Sequence, residues 1–449
     1  MSKKGSLKST LAVSLTNYLD AGAIVAGASG LTLWQNYLGL SEGHLGWLNA
    51  ISANCLGAAI GAIIGGFMAD KYGRKAIYSY NMLIYMTGVA LVMLSVNFPM
   101  LLAGFLITGI SVGVGVPASW TYISESSEQT KRGRNIAISQ MAWGVGPFVI
   151  LVLGMLFAPE GIAFGITESI AKWIGGAAIS GAALNVWSSR IVFFSLFLVA
   201  LLAWILQRRL DESKEWTAAK AADQGNAAQK KGVFSSFGSL FTNKINVRTI
   251  CFLAGIYLTW NMVASVMGFF QPHIYETAGG LSNADANMFS AGNWAIVIIT
   301  TFFFSLIVDR VPHRILYITG LVIAIAAWVM VAFVGVSNMT GLIIFTVLWA
   351  VQGGISVQAF YALWASELFP AKYRAAAQGI MFFLVRGICA LWGLCFVYIY
   401  GENGQGFQLA AYLMMGLLFI SLVVGAIGAP KTQGKTLDQI TRERYGEDF

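Results

Sequence analysis

Two ionisable side chains lie deep inside apolar stretches of the sequence. Asp20 falls within LTNYLDAGAIVAGASGLTLW, which starts at Leu15, and Arg386 within AAAQGIMFFLVRGICALWGL, which starts at Ala375. A carboxyl group in such a place can take up and release a proton, because burial opposes its charged form and a nearby cation favours it. An arginine stays charged, and its planar fork matches a carboxylate, sulfonate or phosphate. The other readings of Arg386 are a structural ion pair or a side chain that snorkels to an interface, and its depth in the run argues against the second. Little other chemistry is on offer. His44, His273 and His313 are scattered, no paired carboxylates or nucleophile motif appears, and Cys55, Cys251, Cys389 and Cys395 sit in apolar runs without metal-ligand spacing. These absences argue against an enzyme, and no metal or cofactor is expected beyond a coupling proton.

The elements that must hold these groups are apolar throughout. The 449 residues are 57% hydrophobic and 11% charged, with mean hydropathy +0.70, whereas a soluble domain is about 25% charged. Runs long enough to cross a hydrocarbon core about 30 Å thick lie near 10–35, 45–69, 76–96, 98–123, 135–158, 189–208, 249–274, 287–308, 314–336, 339–365, 375–399 and 407–428. The fold class is therefore an all-α integral membrane protein of twelve transmembrane helices. On that map all of the 28 Lys and Arg except Lys172, Arg190 and Arg386 fall on one side. Both termini are then cytoplasmic, and the net charge of +8 reflects topology and not a nucleic-acid partner. MSKKGSLKST runs into the first apolar stretch without a small-residue cleavage site, which predicts a retained helix in a cell membrane, plasma or bacterial inner.

The chain repeats itself. GGFMADKYGRKA at 65–76 matches FSLIVDRVPHRI at 304–315, and SESSEQTKRGR at 124–134 matches SELFPAKYRAA at 366–376, both at an offset of about 240 residues. Two pseudo-symmetric six-helix bundles follow, 1–208 and 249–428, joined by a cytoplasmic linker at 209–248 and ending in a tail at 429–449. Such halves can expose a central site to each side of the membrane in turn. A transporter functional as a monomer is expected, with a small-molecule substrate, protons and the lipid bilayer as partners.

GGFMADKYGRK resembles the loop between helices 2 and 3 of the major facilitator superfamily. WTYISESSEQTKRGR, LDESKEW, FQPHIYETAG, SELFPAKYR and APKTQGKTLDQI resemble, in order, segments of its sugar-porter branch. The resemblance implies a cytoplasmic gating network of Asp70, Arg74, Glu125 and Arg132 in the first half and Asp309, Arg310, Glu367 and Arg374 in the second. Pro312 and His313 replace the family's Gly-Arg, which weakens the second latch. It also implies that Asp20 is the proton-coupling acid, although the helix 4 position that carries an arginine in proton-coupled members is Phe105 here.

Laid on the same pattern, the hydroxyl-reading positions have changed. Pro147 stands for a Gln, Thr259 and Trp260 for a Gln pair, Ser265 for an Asn, Ala362 for the helix 10 Trp and Arg386 for the helix 11 Trp. A site that has lost its polar partners has lost the discrimination they supply. The expected substrate-binding set is Arg386, Trp260, Asn261, Thr259, Ser265, Gln140, Gln358 and Trp392, with Arg386 also a candidate counter-charge for Asp20. The favoured cargo is an acidic sugar derivative or organic anion in symport with protons. The alternatives are a neutral sugar or polyol and, in another class, a non-transporting nutrient sensor. His273 and Gln271, beside Pro272, are more in keeping with an interfacial or capping role than with substrate contact. Residues 159–188 form a long outer loop, read as an interfacial helix or a partial lid.

Overall fold

A computed structural model describes residues 3–72, 74–126, 132–208, 241–308, 310–355, 357–369, 371–433, 435 and 437–446. Side chains at 3–13, 66–76, 78–79, 116–140, 366, 371–376 and 437–438 lie outside that description, as does most of the expected linker at 209–248. The protein is all-helical among the described residues. In chain order the helices are α1 (Lys3–Ser29), α2 (Leu31–Leu38), α3 (Glu42–Ile51), α4 (Leu56–Tyr72), α5 (Arg74–Met93), α6 (Phe98–Ser126), α7 (Arg132–Phe157), α8 (Phe164–Gly175) and α9 (Gly181–Gln207). After the linker come α10 (Lys244–Thr277), α11 (Asn283–Ile307), α12 (His313–Val334), α13 (Met339–Ile355), α14 (Val357–Glu367), α15 (Ala371–Tyr400), α16 (Phe407–Gly428) and α17 (Leu437–Tyr445). Among the described residues nine stretches are long and apolar enough to cross a membrane. Two of them, Glu42–Gly65 and Met339–Ala365, each run over two successive helices.

The chain forms two compact units. Unit 1 comprises Met1–Gly225, Ser265–Ala295 and Ala390–Phe407, and unit 2 comprises Asn226–Ala264, Ile296–Cys389 and Gln408–Phe449. Within unit 1, α1 lies along α7 and α9, and α6 packs on both α4 and α5. The α4–α6 seam is possible because its residues are small: a Cβ on Gly61 would meet Gly113 Cα at 2.9 Å, and one on Gly57 would meet Gly109 Cα at 3.0 Å. Close backbone approach through glycine is the usual way to gain dispersion energy between helices in lipid.

Two of the apolar stretches of unit 1 are interrupted. The first breaks at Gly30, between α1 and α2, where a Cβ would strike the Ser189 side chain. The orphaned Ser29 carbonyl at this break accepts from both Asn283 Nδ2 and Asn287 Nδ2, at 3.1 Å each. A terminal carbonyl buried without such donors would be destabilising. The second break, at Ser52–Cys55, separates α3 from α4 and lets Asn54 Nδ2 reach the Ser265 carbonyl at 2.7 Å. The start of α3 is fixed by a capping box between Ser41 and His44.

Two of the cations that depart from the one-sided charge distribution have local partners. Arg190 donates from Nη2 to the Ser95 carbonyl at 3.0 Å and lies 4.9 Å above the Trp187 ring, an arrangement in which ring faces stabilise a cation. Lys172 pairs with Glu168 at 2.6 Å on the exposed helix α8, within the expected outer loop.

Unit 2 is tied by hydroxyl groups. Tyr317 donates to the Ser421 carbonyl at 2.9 Å, and Ser421 Oγ donates to the Ile256 carbonyl at 2.9 Å. The tail folds back as α17, whose Tyr445 donates to Asn246 Oδ1 at 2.7 Å at the start of α10.

Candidate functional site

Asp20 lies on α1 in unit 1. It is 1% exposed, and among the described residues neither carboxyl oxygen has a hydrogen-bond partner. Its neighbours are polar, but their donors are engaged elsewhere. Asn81 Nδ2 donates to the Ser111 carbonyl at 3.0 Å, Ser111 Oγ donates to Asn81 Oδ1 at 2.9 Å, and the Tyr85 hydroxyl donates to the Leu19 carbonyl at 2.9 Å. Gln207 Nε2 donates to the Thr16 hydroxyl at 2.9 Å. Gly115 of α6 leaves room for the acid, since a Cβ there would stand 3.7 Å from Asp20 Oδ1 and 2.8 Å from Thr16 Cγ2. An unpaired charge in such a place is costly, so the site is complete only with a proton or a counter-charge on it.

Phe105 is not placed beside this acid. It packs edge-on against Phe193 and Phe269, both at 6.2 Å, and a Cβ on Gly27 would meet its Cζ at 3.0 Å. Gly27 is seven residues, about 10 Å, along α1 from Asp20. The α6 residue that comes level with Asp20 is Gly115, ten positions beyond Phe105.

Unit 1 also holds buried polar groups that have no hydrogen-bond partner among the described residues: both amide atoms of Asn49 on α3 and the indole N–H of Trp392 on α15. They belong to neighbouring backbone, because a Cβ on Gly393 would meet Asn49 Cγ at 3.2 Å. Such orphaned donors and acceptors are where a polyhydroxylated ligand gains hydrogen bonds. Ser265 enters the structure through its carbonyl, which Asn54 occupies.

In unit 2 a second cluster forms on α10, α13, α14 and α15. Tyr257 stacks on Tyr361 with centroids 4.0 Å apart and on Trp260 at 6.2 Å. Trp260 Nε1 donates to Gln352 Oε1 at 3.3 Å, and Asn261 Oδ1 accepts from Cys389 Sγ at 3.5 Å. Arg386 is partly buried on α15, its guanidinium 5.2 Å from the Phe382 ring, and Tyr257 lies in its field and in hydrogen-bonding reach of Asn261. Aromatic faces with a few fixed polar groups are the usual lining of a small-molecule site.

The expected residues are therefore divided. Trp260, Asn261 and Arg386 come together in unit 2, and Asp20, Ser265 and Trp392 belong to unit 1. Thr259 turns its hydroxyl back to the Gly255 carbonyl of its own helix at 2.9 Å, and Gln358 is exposed on α14. Of the gating set, Arg310 is exposed, and Glu367 is partly exposed with Oε2 buried and unpaired among the described residues. Gln140, Asp70, Arg74, Glu125, Arg132, Asp309 and Arg374 lie outside the described side chains. Sequence reasoning missed Asn49, Tyr257, Gln352 and Tyr361. Asn49 and Gln352 were detectable as amides inside apolar runs, and Tyr361 is one position from the residue laid on the family's tryptophan.

An all-helical chain of apolar spans, with a bare buried acid in one unit and an aromatic and amide cluster in the other, defines a multi-pass membrane carrier. The chain belongs to the Major Facilitator Superfamily, whose family model matches residues 10–394, and it is a sugar-porter-type transporter of small molecules. It is 38% identical over 441 residues to the minor myo-inositol transporter IolF of Bacillus subtilis, covering 98% of this chain and 94% of that one. It is 23% identical to the "Probable quinate permease" of Aspergillus flavus, covering 88% and 78%. In fold it resembles the xylose transporter XylE from E. coli in an inward-open conformation, with a TM-score of 0.75, 17% identity and coverage of 97% and 99%.

Proposed function

We propose that this protein carries a neutral cyclic polyol of the inositol class together with protons, by alternating access of two six-helix halves whose termini are cytoplasmic. A single copy of the chain suffices. The observation that carries the reading is Asp20, a buried carboxyl with no hydrogen-bond partner among the described residues, in a chain whose transporter relatives match nearly all of it. The proton binds at Asp20. In unit 1 Asn49 and Trp392 offer hydrogen bonds to ring hydroxyls, and in unit 2 the Tyr257, Trp260 and Gln352 cluster offers aromatic faces and an amide of its own. Kinship with an inositol transporter supports the cargo, and the proteins to which the chain is similar do not favour a non-transporting sensor. The test is uptake of labelled myo-inositol by proteoliposomes under an inward proton gradient. Accumulation abolished by a protonophore is expected, and uptake indifferent to the gradient would overturn the coupling.

A second reading, an acidic cyclitol or sugar acid, is favoured by Arg386 alone. Its fixed charge in an apolar helix suits a carboxylate, and one relative is named for quinate. Competition of labelled myo-inositol uptake by quinate decides between the two. Displacement by quinate at lower concentration than by unlabelled inositol is the outcome that replaces the neutral reading with the acidic one.

A further inference from the structure

Where α1 breaks into α2, unit 1 brings two titratable side chains to one hydroxyl. Thr32 on α2 lies 2.9 Å from His273 Nδ1 on α10. The same hydroxyl faces Glu276, one turn along α10, whose Oε1 accepts from Asn283 Nδ2 of α11 at 3.0 Å. His273 is 1% exposed, and its Nε2 is buried with no hydrogen-bond partner among the described residues. We propose that His273, Thr32 and Glu276 form a second proton-binding site, separate from Asp20, whose proton holds this end of unit 1 shut. The proposal rests on the reading of the protein as a proton-coupled carrier.

The hydroxyl has one proton and two neighbours that can each be donor or acceptor. With the triad neutral overall, one arrangement has the Glu276 carboxylic acid donating to Thr32 and Thr32 donating to Nδ1 of a neutral imidazole. In the other, a His273 imidazolium donates through Nδ1 to Thr32, which donates to the Glu276 carboxylate. The two differ only by transfer of protons along the two hydrogen bonds. Nε2 carries a hydrogen in both arrangements and has no acceptor among the described residues, which costs more on the charged ring than on the neutral one, so the proton rests on the Glu276 side. Loss of that proton leaves a negative charge among groups that offer no compensating cation.

The facing elements bear this out. From α15 the Tyr400 hydroxyl faces Glu276 and is held by Thr277, and Glu402 lies beyond it. From α3 Glu42 faces the same tyrosine while accepting from Gln35 at 3.1 Å. On α11 Asp285 is engaged by Ser282 at the helix start. The nearest cation of α9, Arg190, is committed to the Ser95 carbonyl and to the rings of Trp34, Tyr37 and Trp187. The deprotonated triad is thus an anion beside other acids, and it is relieved when α2 separates from α10 and α11.

Spin labels at Asn36 on α2 and Met288 on α11, both exposed, read that separation in the full chain with Cys251 and Cys395 replaced by Ala. The expected result is a longer-distance population that grows as the pH rises and the buried Glu276 carboxyl loses its proton. Glu276→Gln, which reproduces the hydrogen bonds of the protonated acid, holds the short distance throughout. Thr32→Val abolishes the transition, Thr32→Ser restores it, and Asp20→Asn keeps it. A distribution that does not change with pH overturns the proposal, as does a transition that survives in Glu276→Gln and Thr32→Val or vanishes in Asp20→Asn. Uptake separates this from the parent reading. Gradient-insensitive uptake with the pH transition intact overturns proton coupling and leaves the latch, whereas gradient-driven uptake with no pH transition overturns the latch alone.

Discussion

Asp20 and Arg386 make demands that single substitutions separate. Asp20 is buried and unpaired among described residues, with its neighbours bonded to one another. Asp20→Asn keeps the shape and removes the exchangeable proton. Proton-driven accumulation of inositol is expected to fall by at least about tenfold, while exchange of labelled for unlabelled inositol across the same vesicles changes less than about threefold. Arg386 distinguishes the two cargo readings. Removal of a charged hydrogen bond costs about 1.5–3 kcal/mol, so Arg386→Gln raises the KM of an acidic substrate roughly 10- to 100-fold and leaves that of a neutral polyol nearly unchanged. Asn49 has two buried amide atoms without a hydrogen-bond partner among the described residues. Asn49→Ala raises the KM for inositol by about three- to tenfold, the worth of one neutral hydrogen bond, without loss of folded protein in size-exclusion profiles.

At the scale of elements, glycine spacing decides which substitutions the membrane domain tolerates. On the α4–α6 seam a Cβ at Gly61 meets backbone, whereas a Cβ at Gly379 on α15 meets nothing within 4 Å. Gly61→Val is expected to destabilise by about 1–3 kcal/mol or more through overpacking, lowering the melting temperature in detergent, and Gly379→Ala to be neutral or slightly stabilising. The spacing of Gly57 and Gly61, four residues apart in an apolar run, was visible in the sequence and suits close helix packing in lipid. The breaks at Gly30 and Ser52–Cys55 were not, because they interrupt hydrogen bonding without lowering hydropathy. Tyr361 shows a second limit: counting along a related pattern carries an error of one residue or more, and one residue turns a side chain about 100° around its helix. Asp20 and Arg386 escaped the limit because an ionisable group in an apolar run is conspicuous at any register.

For the whole molecule, hydropathy and internal repetition were sufficient to read an all-helical membrane carrier, and the similarity to an inositol transporter over nearly the full chain bears that out. Substrate identity was not legible. It depends on side chains that separate helices contribute within one unit, as α10 and α13 do with Tyr257, Trp260 and Gln352, and no local pattern links them. The acidic cargo inferred from Arg386 alone therefore becomes the second reading, behind a neutral cyclitol. The central claim is that cargo and proton cross together through Asp20. Its most direct test is electrical. Addition of myo-inositol to proteoliposomes adsorbed on a capacitive sensor, with no imposed ion gradient, is expected to evoke an inward current of positive charge that disappears in Asp20→Asn. Saturable inositol entry without any current, or an undiminished current in Asp20→Asn, would contradict the account.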